Sequence, residues 1–456
     1  MNETTIEAKE LPYMKDGHWL FGAGLMFSQD PLRFIGEYAA KYDGIFRIRT
    51  ANFIEQIVIV NKPDYVKHIL QDNNKNYQKS FGYQIMKLLV GNGLLTSEGD
   101  FWRRQRRLAQ PGFHRERLAS FNNIMVEETN ELLKKWNQLP DGSVVNVSKD
   151  MMEVTLKIVC KALFSTDVDD VTDTVSREFH IANESLIKRI IDPIKIPLWF
   201  PTPHNVKENH AYKAIQAIVQ QLIEKRRKSS ERHDDLLAML MEAKDEDTGE
   251  MMSDNQLKDE VVTIFLAGHE TTAVALTWLF HCLEENPEVE QKLLEEARTV
   301  LNGRNPTLED FRSLDYARMV IEETMRLYPP AWIIGRNAID DDEIGGYHIP
   351  KGINTLIPVY HIHRDPQYWE EPLKFIPERF TKEKIRSYHK FVYFPFGGGP
   401  RLCIGNNFAL MEMQLLVPMF IQQYHLQKAK GFKFKQDPLI TMRPNPDMLM
   451  ELHRRK

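Results

Sequence analysis

A long helix-periodic run over residues 257–283, apolar through its middle, limits what this 456-residue chain can fold into more than any other feature. A helix that is apolar on all sides must be buried, so this run has to cross the centre of the domain. Helical periodicity also covers 125–136, 152–164, 211–227, 315–328 and 406–424. Pro287 ends the long run and opens the next helix. Pro329 and Pro330 stop the helix over 315–328. Short strands are expected at 46–49 and 56–60, then a helix over 63–70 with Pro63 in its first turn. A second β-rich stretch is expected over 335–359, with turns at Gly345-Gly346 and Lys351-Gly352. The pattern predicts a mainly α chain with a small β-rich part (α+β). It forms one domain over 1–456, with β-rich portions at about 44–62 and 331–395. No internal repeat or linker-like stretch divides it.

Composition sets outer limits. At 42% hydrophobic and 27% charged residues the chain is ordinary globular protein. A net charge of −5 argues against nucleic acid or an anionic membrane surface as a general partner. The only cysteines are Cys160, Cys282 and Cys403, too few for a disulfide framework and suited to a reducing compartment. Residues 1–10 are polar, and the apolar stretch 19–27 is short and broken by glycines. Neither has the length of a signal or anchor. A monomeric, cytoplasmic protein with no transmembrane anchor is expected.

Cys403 lies in a glycine-rich turn, FPFGGGPRLCIG over 394–405, just before the last long helix. A cysteine at a helix N-terminus is biased toward thiolate by the helix dipole and by unpaired backbone N–H groups. A thiolate pushes electron density onto haem iron and favours O–O cleavage. Glycines let backbone approach a flat macrocycle and adopt positive φ. A phosphate cradle does not fit, because the Lys-Ser/Thr ending is missing. A lone cysteine at a helix start is ordinarily core, but Phe396, Gly399, Arg401, Cys403 and Gly405 together resemble the haem-binding loop of the cytochrome P450 family.

Further motifs follow in that family's order. Within the long helix, Ala267-Gly268-His269-Glu270-Thr271-Thr272 puts an acid beside a hydroxyl in an apolar setting, which is costly unless paired or hydrated. Gly268 and back-bonding threonines should loosen the helix there. This looks like the family's oxygen-binding helix. By resemblance Thr271 would orient the oxygen being reduced and Glu270 would relay protons. A zinc-protease reading fails, because position 273 is Ala273 where a second His is needed. Glu323 and Arg326 lie at i,i+3 on one helix and can meet. With Arg379 they resemble the family's structural ion network. Trp102 and Arg106 match its Trp-x-x-x-Arg helix, and with Arg336 and Arg401 they would hold the two haem propionates, since buried carboxylates need cations.

The resemblance implies a fold with haem b between the central helix and the helix of the cysteine loop. The iron would be held by Cys403. It implies a haem-thiolate monooxygenase that inserts one oxygen atom of O2 into a small molecule, by hydroxylation or oxidative demethylation. Electrons would come from a separate ferredoxin- or flavodoxin-type donor with its reductase. The basic stretch Arg103, Arg104, Arg106, Arg107, His114, Arg115 and Arg117 would suit an acidic donor or be a solvated face. A peroxide-using haem-thiolate enzyme and a non-catalytic haem-binding or sensor protein are the alternatives. By family position the substrate pocket would include Phe81, Tyr83, Met86, Phe265, Ala267, Trp332, Ile333 and Met448. These are mostly apolar, favouring an apolar or methoxy-bearing guest, while Asn445 and Asp447 could serve a polar one. His361 and His363, alternating as on a strand, lack a third ligand and are expected to be structural.

Overall fold

The computed structural model describes residues 9–18, 22–50, 56–166, 172–192, 196–231, 233, 235–245 and 249–455. The long apolar run is a single helix, Asp254–Glu285, opened by a reciprocal capping box between Ser253 and Gln256. It is long and apolar enough to cross a membrane, yet 83% of its most apolar window is buried by the protein. Helix Val147–Phe164 is laid along it. Gly268 permits that approach: a Cβ there would lie 3.2 Å from Val159 Cγ2. The Thr155 hydroxyl also donates to the His269 carbonyl at 3.1 Å. The helix runs unbroken through Gly268, where the glycine serves close packing, and Thr271 and Thr272 bond back to the carbonyls of Ala267 and Gly268 as expected.

The cysteine-loop helix, Asn406–Gln423, crosses beneath. Phe420 packs edge-on against Phe280 and tilted against Trp136, with centroids 5.5 and 5.2 Å apart. Trp278 of the central helix stacks on Tyr328 at 4.3 Å and donates its indole N–H to the Met442 carbonyl at 2.8 Å. One side chain thus ties three segments far apart in sequence.

The β part is a five-stranded sheet in the order Ile45–Arg49, Gln56–Val60, Asn354–Ile357, Ile334–Ala338, Tyr77–Lys79. Its one parallel pair joins Gln56–Val60 to Asn354–Ile357. The strands expected at 46–49 and 56–60 are present. The second β-rich portion ends at Ile357, because 359–395 forms short helical turns (Val359–Ile362, Pro377–Phe380, Lys382–Ser387 and Lys390–Val392). His361 therefore lies within a helical turn and His363 caps it, and neither is on a strand. The His361 Nε2 lies 2.7 Å from the Leu32 carbonyl, and His363 Nε2 accepts the Phe394 N–H. The helix expected over 63–70 is α over Pro63–Lys67 and then widens to a π turn, His68–Asp72. Of the C-terminal strands, Lys435–Pro438 pairs with Met442–Asn445, while Leu449–Arg454 lies between Tyr424–Lys428 and the earlier strand Val144–Asn146.

Candidate functional site

The cysteine loop is shaped by its glycines. Gly399 has φ +64, and a Cβ on it would sit inside the Leu70 carbonyl oxygen of the π turn. Only glycine fits there. Gly405, the N-cap of the following helix, is open, with Phe113 Cε1 at 3.8 Å as the nearest atom to a Cβ. The Cys403 N–H donates to the Phe396 carbonyl at 3.0 Å, which closes the loop. By area Cys403 is exposed, yet protein atoms ring it. That enclosure pushes its thiol above the ordinary range, against the Gly405 N–H and the charges of Arg106 and Lys79.

Beside the loop the fold gathers cations. The Arg401 guanidinium lies 3.6 Å over the Trp102 ring, donates to the Ser97 carbonyl and pairs with Glu98. Arg106 donates to the Leu402 carbonyl at 2.8 Å. Arg336 is buried and bonds only the carbonyl of Gly335 among the described residues. Opposite it in strand register is Lys79, also buried, its ammonium 4.3 Å from the Tyr83 ring centre. Burial, then Arg336 and Arg401, hold Lys79 well below the usual lysine range. Lys79, Arg336 and Arg401 face one carboxylate, Glu98. Buried charge of this kind needs anionic partners, and a ligand with two carboxylates beside Cys403 answers that need. The four residues expected here are brought together. Lys79 was missed, because its only signal is a register with Arg336 that the sheet alone creates.

Above this group lies a cavity of about 1070 Å³. Phe81, Tyr83, Met86, Ala267, Trp332 and Ile333 line it as expected. Phe265 does not. It is two residues from Ala267, about 200° round the helix, and is fully buried against Phe164 and His269. Met448 is also excluded, since it leads into the strand Leu449–Arg454 and is sealed in the core. Asn445 and Asp447 bond Asp437 and Asn146 respectively and do not line the cavity. The sequence reading missed the roof, Phe179, Asn183, Leu186, Ile187 and Ile190 of helix Thr172–Ile191, and the turn Leu439, Ile440 and Thr441. Nothing local marks an ordinary amphipathic helix as a roof.

Glu270 and Thr271 both line the cavity. The Thr271 hydroxyl donates back to the Ala267 carbonyl at 3.0 Å. Glu270 is buried, and its Oε1 accepts from Asn183 Nδ2 and Thr441 Oγ1, each at 2.7 Å, and from Arg443.

On the far side of the cysteine-loop helix the expected ion network is complete. Arg326 forks onto both oxygens of Glu323, and Arg379 Nε reaches Glu323 Oε1 at 3.3 Å. The basic stretch is partly neutralised, with Arg103 paired to Asp100, and Arg104 and Arg107 to Asp245.

A profile of the family described as Cytochrome P450 matches residues 12–450. The chain is 32% identical over 413 residues to cyclooctat-9-en-7-ol 5-monooxygenase of Streptomyces melanosporofaciens, covering 90% of this chain and 88% of that protein. It is 31% identical over 429 residues to cyclooctatin synthase of the same organism, covering 94% and 92%. It is 30% identical over 397 residues to pentalenene oxygenase of Streptomyces avermitilis, covering 87% of each.

Proposed function

The chain belongs to the cytochrome P450 family and is an oxidoreductase of the monooxygenase class; from that premise we propose that Cys403 holds the iron of haem b while Lys79, Trp102, Arg106, Arg336 and Arg401 hold its propionates. The observation that carries this assignment is the group of buried and half-buried cations, outnumbering Glu98, beside a cysteine at a helix start that is exposed by area. When bound, the cofactor supplies dioxygen activation.

The protein supplies the rest. Gly399 and the Phe396 carbonyl fix the cysteine. Glu323, Arg326 and Arg379 hold the backbone behind it. Thr271 presents a hydroxyl to the cavity, and Glu270 offers a carboxylate one residue away for moving protons. The apolar lining desolvates a guest and favours a hydrophobic one. Relatives named for an alkene and an alkenol, pentalenene and cyclooctat-9-en-7-ol, support a substrate of that chemical kind. The proposal extends to a single haem domain in a cytoplasmic monomer, reduced by a separate ferredoxin- or flavodoxin-type protein.

The test is the difference spectrum of dithionite-reduced protein with and without carbon monoxide. The long-wavelength Soret band of a thiolate-ligated carbonyl is expected, and Cys403→Ala should abolish it. A band at the ordinary shorter wavelength, or no haem at all, would overturn the assignment.

A further inference from the structure

Two arginines in this protein, Arg326 fully buried and Arg443 half-buried, are used differently. Arg326 donates through all three nitrogens to five acceptors: the two Glu323 oxygens and the carbonyls of His363, Pro372 and Lys374. Arg443 is half-buried and incompletely satisfied. Its Nη2 meets Glu270, its Nη1 lies 3.3 Å from His180 Nδ1, and its Nε is buried with no partner. A guanidinium kept only for structure is expected to have its donors satisfied. Arg443 is held chiefly by one carboxylate.

That carboxylate is bonded asymmetrically. Oε1 of Glu270 takes all three donors, from Asn183, Thr441 and Arg443. Oε2 accepts none among the described residues and is not among the enclosed polar atoms. Three donors, one of them charged, fix the rotamer and leave Oε2 as the oxygen that can exchange a proton.

The donors also come from the parts that close the cavity. Asn183 belongs to the roof helix, Thr441 and Arg443 to the hairpin, and both Asn183 and Thr441 line the cavity. Asn183 Oδ1 in turn accepts the Ile440 N–H at 3.2 Å, and His180, one helical turn before Asn183, meets Arg443. Roof, hairpin and central helix are thus pinned at one atom. Any displacement of the roof or hairpin by a guest draws on the bonds that orient Glu270.

We propose that Arg443 is a positioning residue for Glu270: it holds Oε1 against the roof and hairpin so that Oε2 faces the proton path, and it makes that orientation depend on how the cavity is closed. This rests on the monooxygenase reading of the site.

The test compares wild type with Arg443→Met, which removes the charge at similar bulk, and Arg443→Lys, which keeps it. NADH consumption with a surrogate ferredoxin and its reductase is followed without added substrate across pH 6–9, in H2O and D2O. Arg443→Met should change the solvent isotope effect by about twofold or more and displace the pH profile, with Arg443→Lys partly restoring both. On a Glu270→Gln background Arg443→Met should add nothing, because its effect runs through the carboxylate. An unchanged isotope effect and profile in Arg443→Met, or an undiminished effect on the Glu270→Gln background, would overturn the proposal. Amide hydrogen exchange reads the same clamp without turnover. Protection over 172–191 and 439–445 should fall together in Arg443→Met and in Glu270→Gln. Loss of the thiolate-type carbonyl band in wild type would sink the haem assignment, and the exchange result alone would then decide whether the clamp exists. Equal protection in all three proteins would overturn it.

Discussion

Glu323 and Arg326 stand three residues apart on one helix and meet as a two-pronged pair, Nε to Oε2 at 2.6 Å and Nη2 to Oε1 at 2.8 Å, both side chains fully buried. The spacing alone would allow an exposed pair worth a few tenths of a kcal/mol. Burial changes the meaning. Arg326 also takes the carbonyls of His363, Pro372 and Lys374, and Glu323 also accepts the Ile376 N–H, so the pair organises a stretch with little regular structure. Glu323→Ala would leave a buried charge unmatched and is expected to cost about 3–5 kcal/mol, read as a fall in the urea midpoint or loss of folded protein. Arg326→Lys keeps the charge but cannot reach five acceptors, so it should cost nearly as much. A wild-type urea midpoint for Arg326→Lys would show that the fork geometry is immaterial.

Gly399 and Gly405 carry the same sequence signal but meet different surroundings. Gly399→Ala forces a Cβ into the Leu70 carbonyl at a φ of +64, and should lose more than about 2 kcal/mol of stability. Gly405→Ala meets nothing closer than 3.8 Å and should stay within about 1 kcal/mol of wild type. Haem content should be measured alongside. Lower haem in a stable Gly405→Ala protein would assign that glycine to the macrocycle and not to the fold.

One buried and one half-buried acid, Glu260 and Glu322, give stability a slope on the alkaline side. Burial pushes Glu260 up to about 8 and Glu322 up to about 7. In the unfolded chain both ionise near 4.5, while the folded protein keeps their protons longer. Their contribution is complete below that pH and is lost as pH rises through about 7 and 8. Each costs up to about 1.4 kcal/mol per pH unit across its window. Glu260→Gln keeps an acceptor for the Leu94 N–H and should flatten the slope between pH 5 and 8 in denaturant titrations. On the acid side, burial lowers His361 to about 4 and His363 to about 3, so their contribution, present above pH 6.5, is lost as pH falls. An unaltered alkaline slope in Glu260→Gln would show that this carboxyl titrates elsewhere.

Lys79 gives opposite signs in two measurements. Its ammonium is buried among Arg336 and Arg401 with Glu98 as the nearby carboxylate. Lys79→Met should therefore raise the thermal midpoint of haem-free protein by relieving like-charge repulsion. The same change should speed haem transfer to apomyoglobin about tenfold, since one lost charged contact is worth about 1.4 kcal/mol. A slower transfer would place Lys79 outside the propionate set.

The candidate site residues were legible where motif and chain order coincide. Cys403, Thr271, Glu323 and Arg326 each sit in a short pattern, and the spacing of each pattern is fixed by one local element. Pocket membership was legible only in part. Ala267 and Phe265 differ by two positions on the same helix, and which of them faces the cavity depends on how that helix is rotated against Val147–Phe164. Met448 failed for a related reason, because strand pairing with Asn146 and Tyr424–Lys428 decided what its segment covers.

By itself the sequence determined the buried central helix, the glycine at 399, the cysteine before the last helix and the ion network behind it. Local periodicity and backbone freedom suffice for the helix and the glycine; the ion network rests on resemblance to the family's motifs, since i,i+3 spacing alone fits an exposed pair and Arg379 lies far along the chain. Only the tertiary structure decided that Lys79 faces Arg336, that Asn183 and Thr441 converge on one oxygen of Glu270, and that Arg443 completes the set. Those partners are separated by 87 to 257 residues where bonds join them directly to Glu270 or to the hairpin. No local propensity encodes contacts over such distances; they exist because burying the apolar faces of helix, hairpin and sheet leaves the polar groups between them with no other partners.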